Sequence, residues 1–504
     1  MKISFVTVNL LENDAVGNDI GARIGILSRA GHDCRVFVSR DFPAVRRDCA
    51  SLATLASYPE FLLASRFADR LAPSADDPFR CHQDADISFY NYFGGSELYH
   101  SIALPHRGIR VFDYHGVTSP ELVDDVAARG TYERGVRETA LVRYADFALV
   151  RSAYMRDELA RTFGFPADRI TVLPYETDTS RFTPGPRDPA LAQRYGLAGR
   201  RVLLYVGRMA SHKKIDELVQ ALAATRREIP DAVLLLVGNT SEAAHRRVME
   251  EALRRARELG VGDSVIFTGE IDHAALPAYY RLCDLFVTAS RHEGFCIPVI
   301  EAMACGKPVI GARATALPDT IGDGGLLFEP GDHKALAAAA ARLLRETKGG
   351  GDTPYRALSR AALARAGRFS AGSYRRAFLE FVERAAKRER GGHTPEPPPP
   401  PAVSTSLPAA FSRLCAGADV SIDYHDASPR RFAGRMLSRA RGKVTAHLRR
   451  FYLDILAARQ SDFNRSATRA ADEIARCLCI LKDSLDELDT RLRRIEQELE
   501  DRRR

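Results

Sequence analysis

The stretches ISFVTVNL (3–10), DIGARIGILSRAG (19–31) and CRVFVSR (34–40) stand in direct succession at the start of the chain. The first and third are short apolar runs with the pattern of buried strands; the second repeats its apolar residues at helical spacing and stops at Gly31. Strand, helix and strand in that order form a βαβ unit, the opening of a doubly wound parallel sheet. The reading extends outward to strands at DISFYNYF (86–93), IRVFDYH (109–115), DFALVRS (146–152) and ITVLPYE (170–176). After a Pro/Gly-rich joint, FTPGPRDP (182–189), a second series follows: RVLLYVGR (201–208), AVLLLVGN (232–239), SVIFTGE (264–270), DLFVTAS (284–290) and KPVIGAR (307–313). The predicted class is α/β, with two Rossmann-like domains, 1–181 and 182–390, facing a cleft. Ligands in such sheets lie beyond the carboxyl ends of the strands, so residues just after strands are the candidates for chemistry.

The 504 residues are 45% hydrophobic, enough for several cores. Nine scattered cysteines show no zinc or redox spacing, which predicts a reduced, cytoplasmic chain. MKISFVTVNLLEND turns acidic too early for a signal peptide, and no apolar run has the length of a spanning helix. GGHTPEPPPPPAV holds a proline-rich linker at 391–403, an extended spacer. Within the following region, 404–466, eight Lys/Arg lie between Pro429 and Leu453 with no Asp or Glu, on a helical pattern whose apolar stripe runs from Phe432 to Ile455. That pattern predicts a basic amphipathic helix at 430–455 suited to an anionic membrane surface, or to packing on the body. In 467–504, Ile474, Leu478, Leu481, Leu485, Leu488, Leu492, Ile495 and Leu499 keep the 3.5-residue period of a coiled coil, which predicts a homo-oligomer through 474–499. The net charge of +8 is mild, and the basic helix lacks the interleaved aromatics of a nucleic-acid platform.

The chemistry centres on RHEGFCIPVIEAMACGKPV (291–309). In one continuous helix, eight steps of about 100° would leave Glu293 and Glu301 roughly 80° apart. Pro298 instead favours a helix start there, with Glu293 in the preceding loop, Glu301 one turn inside, and the amides of Phe295 and Cys296 at the helix mouth. Carboxylates accept hydrogen bonds from vicinal hydroxyls, so the two acids suit two polyol rings. In VGRMASHKKID (206–216), Arg208 and Lys213 suit the diphosphate between them, although alone they read more readily as a solvated basic turn. His115 closes a strand and could meet a substrate hydroxyl, and Gly17 precedes the first helix, where a phosphate could approach. No GxGxxG follows the first strand, which counts against a nicotinamide enzyme.

HEGFCIPVIEAMACGKPVI resembles the E-x7-E signature of retaining glycosyltransferases of the GT-B fold, specifically glycosyltransferase family 4. DAVGND, FDYHGVTSPE, LPYETDTSRF, YVGRMASHKKIDELV and TGEIDHAALPAYYRLCDLFVTAS fall in the family's order, over about residues 1–390. The resemblance implies that Arg208 and Lys213 bind the donor diphosphate, Glu301 the ribose, and Glu293 with the amides at Phe295 and Cys296 the donor sugar. His115 would contact the sugar near the reacting centre, Gly17 would line the phosphate or acceptor side, and the base would rest near Glu270 and Ile271. It further implies retention, a nucleotide-diphosphate sugar as co-substrate, no metal, and a glycan or lipid-linked acceptor in bacterial surface-polysaccharide synthesis, mannosyl- or rhamnosyl-type; the basic helix, outside the resemblance, would place such an enzyme on the inner face of the cell membrane. Two departures stand out: a single Gly17 where relatives carry two glycines, and Lys214 where glycine is frequent. A non-hydrolysing epimerase, or a scaffold acting through its coiled coil, is the competing reading.

Overall fold

The computed structural model describes residues 1–12, 14–58, 60–61, 77–347 and 352–387. The linker at 391–403, the basic helix and the coiled coil lie outside the described residues. The first sheet holds β1 (Lys2–Thr7), β2 (Asp33–Ser39), β3 (Ala53–Ala56), β4 (Ile87–Tyr92), β5 (Ile109–Tyr114), β6 (Phe147–Val150) and β7 (Ile170–Val172), in the order β3-β2-β1-β4-β5-β6-β7. The second holds β8 (Arg201–Val206), β9 (Ala232–Val237), β10 (Val265–Gly269), β11 (Leu285–Thr288), β12 (Val309–Ala312) and β13 (Gly325–Phe328), in the order β10-β9-β8-β11-β12-β13. Every pairing is parallel. The order reverses direction at β1/β4 and at β8/β11, so each sheet opens a crevice at its carboxyl edge there.

Alternation along the strands divides the first core in two. Ile3, Phe5, Ile87 and Phe89 face one layer; Val6, Tyr90, Tyr92 and Phe112 face the other. Two short edge strands escaped the sequence reading, because ATLA (β3) and GLLF (β13) lack length and periodicity. The first helix begins earlier than its apolar pattern, at Ala15: Asp14 caps it by accepting from the amides of Val16 and Gly17.

The domain boundary at 390 requires correction. The last helix, Ala371–Ala386, returns to the first domain, where Tyr374, Phe378, Phe381, Val382 and Ala385 join the core of Ile3, Phe5 and Phe89. Those five side chains form one apolar stripe, and the first sheet offers it a complementary face; sequence order alone assigns it to the nearer domain. The chain thus crosses between domains twice. The crossings run side by side, with the Thr177 amide donating to the Phe369 carbonyl at 2.9 Å.

Candidate active site

The first group of sequence candidates comes together after β8 and β11. Lys213 ends a short turn that follows β8, and its Nζ lies 2.6 Å from Glu293 Oε1. Both side chains are largely buried, at 10% and 13% exposure, so each charge relies on the other. Arg208 is exposed at the end of β8, its carbonyl accepting from the Tyr205 hydroxyl at 3.0 Å. Lys214 sits at φ +51°, the left-handed region, which explains why a glycine would serve at that position.

The Glu293 amide donates to Thr315 Oγ1 at 2.8 Å, and that hydroxyl donates to the Glu293 carbonyl at 3.0 Å, closing a loop that aims the acid at Lys213. The helix Ile297–Ala304 follows, with Pro298 in its first turn as expected. Cys296 caps it at φ +77° without a capping hydrogen bond from its side chain. The amides of Phe295 and Cys296 meet no acceptor among the described residues, so the positive end of that helix stays open to an anion. Glu301, buried inside the first turns, accepts from the Tyr280 hydroxyl at 2.6 Å. Burial pushes its carboxyl up to about 7, against the opposing pull of Tyr280. Tyr280 was not among the sequence candidates; nothing in PAYYRL distinguishes it from a core tyrosine.

Beyond β10, Ile271 is partly buried, and Glu270 accepts from Asn239 Nδ2 at 2.9 Å. Arg181, on the first crossing, reaches the same loop: its guanidinium lies 2.9 Å from His273 Nδ1 and donates to the His273 carbonyl. Two further histidines were missed. His212 and His292 face each other at 6.5 Å, and burial keeps them neutral, pushed down to about 2 and about 4 respectively.

Two sequence candidates sit differently from their expectation. Gly17 lies inside the helix rather than before it, and its amide donates to Asp14 Oδ2 at 3.2 Å instead of facing a phosphate. A Cβ there would lie 2.1 Å from the Leu11 carbonyl, so the glycine serves close backbone packing. The His115 ring points inward, with its side chain 1% exposed: Nδ1 is 2.6 Å from the Tyr175 hydroxyl and Nε2 is 3.4 Å from Asp113 Oδ2. Burial, then the nearby Arg151, lowers its affinity for a second proton. What His115 offers the second domain is its carbonyl. A Cβ on Gly294 would lie 2.9 Å from that oxygen and 2.4 Å from the Met155 methyl, so only glycine allows this approach.

Behind His115 lies a buried charge cluster. Arg151 Nη2 reaches Asp113 Oδ1 at 2.6 Å and Asp19 Oδ2 at 3.0 Å; Arg23 pairs with Asp19 at 2.9 Å and with Asp113. Tyr374, from the returning helix, accepts from Arg23 at 2.7 Å and donates to Asp19. Asp19, Asp113 and His115 stand close enough to share an ion, with ligand atoms within 4.8 Å of one another, but the two guanidinium groups already match the two carboxylates. Burial alone would raise the Asp113 carboxyl; Arg151 and Arg23 outweigh it and hold it well below the usual range.

Residues 189–362 match the family described as Glycosyl transferases group 1. Over that span the chain is similar to group 1 glycosyltransferases. Over 226 residues it is 35% identical to a GDP-mannose-dependent phosphatidylinositol monomannoside mannosyltransferase of Mycolicibacterium smegmatis, covering 42% of this chain and 57% of that protein. Over 264 residues it is 33% identical to the O-antigen chain mannosyltransferase B of Escherichia coli, covering 49% of this chain and 65% of that protein. The chain therefore spans a little over half to about two thirds of these two relatives. Among solved structures, HepE of Anabaena in complex with UDP and glucose superposes with TM-score 0.57 at 20% identity, over 76% of this chain and 99% of that one. Sucrose-phosphate synthase of Thermosynechococcus elongatus superposes with TM-score 0.57 at 24% identity, over 76% and 98%. These likenesses show the fold: the described body has the two Rossmann-like domains of a GT-B fold.

Proposed function

We propose that this glycosyltransferase moves a hexosyl group from a nucleotide-diphosphate sugar to a glycan or lipid-linked acceptor, with GDP-mannose as the first donor to test. The observation that carries the reading is the Lys213–Glu293 pair at 2.6 Å beside the open helix mouth at Cys296. A donor entering there finds a cation and free amides for its pyrophosphate, with Arg208 at the rim. Lys213 then shifts its charge toward the leaving phosphate, and Glu293 is released to accept from sugar hydroxyls. Glu301 takes the ribose, while Ile271 and the Glu270 loop border the base. Departure of the diphosphate leaves positive charge on the anomeric carbon, and the acceptor hydroxyl attacks from the same face, its proton passing to the departing phosphate. Retention rests on the family resemblance.

The mannosyl assignment is supported by the likeness to the two mannosyltransferases above. Stabilisation against heating by GDP, UDP, dTDP and ADP tests the base; a ligand at 100 times its Kd stabilises by about 2.7 kcal/mol. Strong stabilisation by one base, lost in Lys213→Ala, supports the reading, and no stabilisation by any of them refutes it. Conversion of the nucleotide sugar without acceptor would favour an epimerase instead.

For the tail we retain the sequence reading: residues 430–455 dock on anionic lipid and 474–499 self-associate, placing the enzyme on the inner membrane face near surface-polysaccharide or lipopolysaccharide intermediates. Among the described residues no helix is long and apolar enough to cross a membrane. Deleting 404–504 should leave an active monomer that no longer sediments with anionic vesicles. Retained oligomer size together with retained sedimentation would overturn this.

A further inference from the structure

Tyr175 stands on the first crossing between the domains and touches both. Its ring stacks on His115 at 5.7 Å, meets Phe295 edge-on at 5.9 Å and lies under the Arg151 guanidinium at 4.9 Å. Its hydroxyl lies 2.6 Å from His115 Nδ1. Phe295 is held in turn by Phe369 of the return crossing at 5.3 Å and by Thr320, which donates to its carbonyl at 2.5 Å. One buried side chain thus links the histidine loop of the first domain to the helix mouth of the second.

The hydrogen bonds decide the tautomer. Beside Nε2, Asp113 Oδ2 at 3.4 Å can only accept, whereas Arg151 Nη2 at 3.3 Å already commits its two hydrogens to Asp113 Oδ1 at 2.6 Å and Asp19 Oδ2 at 3.0 Å. A buried tyrosine keeps its proton, and among the described residues that hydroxyl meets its acceptor at Nδ1, so it donates there. The ring proton then sits on Nε2, facing Asp113. The charged and titratable groups around the imidazole are Asp19 and Arg23 from the first helix, Asp113 of β5, Arg151 after β6, Tyr175, and Tyr374 from the returning helix. With the ring pinned inward, the His115 carbonyl is fixed against Gly294.

We infer that Tyr175 is a positioning residue for the proposed transfer, holding His115 in the neutral Nε2–H form and seating Phe295, so that the His115 carbonyl and the helix-mouth amides flank the donor sugar in register. This rests on the donor site proposed above, and its test has one arm that needs no donor. Tyr175→Phe keeps every ring contact and removes only the hydroxyl. In protein labelled with 15N-histidine, the His115 signals, assigned by their loss in His115→Gln, should show Nε2–H from pH 5.5 to 8. In Tyr175→Phe they should show tautomer exchange or titration within that range. GDP should bind the variant within about twofold, whereas release of GDP from GDP-mannose should fall at least tenfold in kcat with KM within twofold. A wild-type His115 that is Nδ1–H or doubly protonated at pH 7 overturns the inference. So does a variant whose nitrogen signals match wild type, or one whose signals change while kcat does not. If wild type neither binds GDP nor turns over GDP-mannose, the donor assignment fails, and the nitrogen signals still decide whether Tyr175 sets the imidazole.

Discussion

Glu301 should make nucleotide binding depend on pH in a way that Glu301→Gln abolishes. Its carboxyl is fully buried, with Tyr280 as its hydrogen-bonding partner, and burial pushes it up from 4.5 to about 7. A ribose diol donates to it best when it is ionised, so binding must draw the proton off. If only the ionised form binds, the apparent Kd is multiplied by 1 + 10^(7 − pH), which worsens affinity about tenfold between pH 8 and pH 6, or about 1.4 kcal/mol. Without ligand the sign is opposite. Between about pH 4.5 and 7 the native carboxyl keeps a proton that the unfolded chain releases, so stability falls as pH rises through that window, by at most about 3 kcal/mol. The assay is calorimetric titration of the nucleotide diphosphate identified by the stabilisation panel, at pH 6 and pH 8, in buffers of different ionisation enthalpy. The terminal phosphate titrates in the same range, so the informative quantity is the difference between wild type and Glu301→Gln. The Gln variant should bind roughly ten- to a hundredfold more weakly at pH 8, having lost a charged acceptor worth about 1.5–3 kcal/mol, with the gap narrowing at pH 6. Parallel pH dependences in the two proteins would refute the argument.

Further outcomes follow from other parts of the body. Glu293→Ala frees Lys213 for phosphate, so nucleotide diphosphate binding should hold or tighten while sugar transfer falls; weaker binding measured by calorimetry would contradict the pairing at 2.6 Å. Cys296→Gly relieves a left-handed residue whose strain is of order 1–2 kcal/mol, so its Tm should equal or exceed wild type, and a clear drop would argue against it. Phe378→Ala should cost about 3–5 kcal/mol in denaturant unfolding, because that ring lies fully buried in the first domain's core; a cost below about 1 kcal/mol would mean the last helix does not dock there. His82 is buried and held neutral, chiefly by burial, beside Ser4 Oγ at 2.9 Å. The unfolded chain protonates it below about pH 6.5 and the native state does not, so stability should fall as pH drops below that value, less steeply in His82→Gln; equal slopes in urea titrations would refute this.

Apart from the short edge strands β3 and β13, the strands of both sheets were legible because each is a run such as AVLLLV or IRVFDY, whose burial is written into local composition. The start of the Glu301 helix was legible through Pro298, since proline acts on its own backbone. Gly17 was misplaced because the residue that starts its helix, Asp14, caps through a hydrogen bond that hydropathy does not register. Tyr280, Tyr175 and Arg181 were missed for another reason: an aromatic or a guanidinium carries no mark of which distant partner it will meet.

The chain order of apolar runs, turn formers and acids is enough to specify two βαβ series and to set Glu293 and Glu301 on either side of a helix mouth, because propensity and spacing act over a few residues. Which groups then face one another was settled by packing alone. Lys213 meets Glu293 across 80 positions, Tyr374 enters the Asp19–Arg23 cluster across more than 350, and the His115 ring turns away from the cleft it was expected to enter. Contacts of that length depend on how two sheets and a returning helix share buried volume and charge, and no local pattern encodes that.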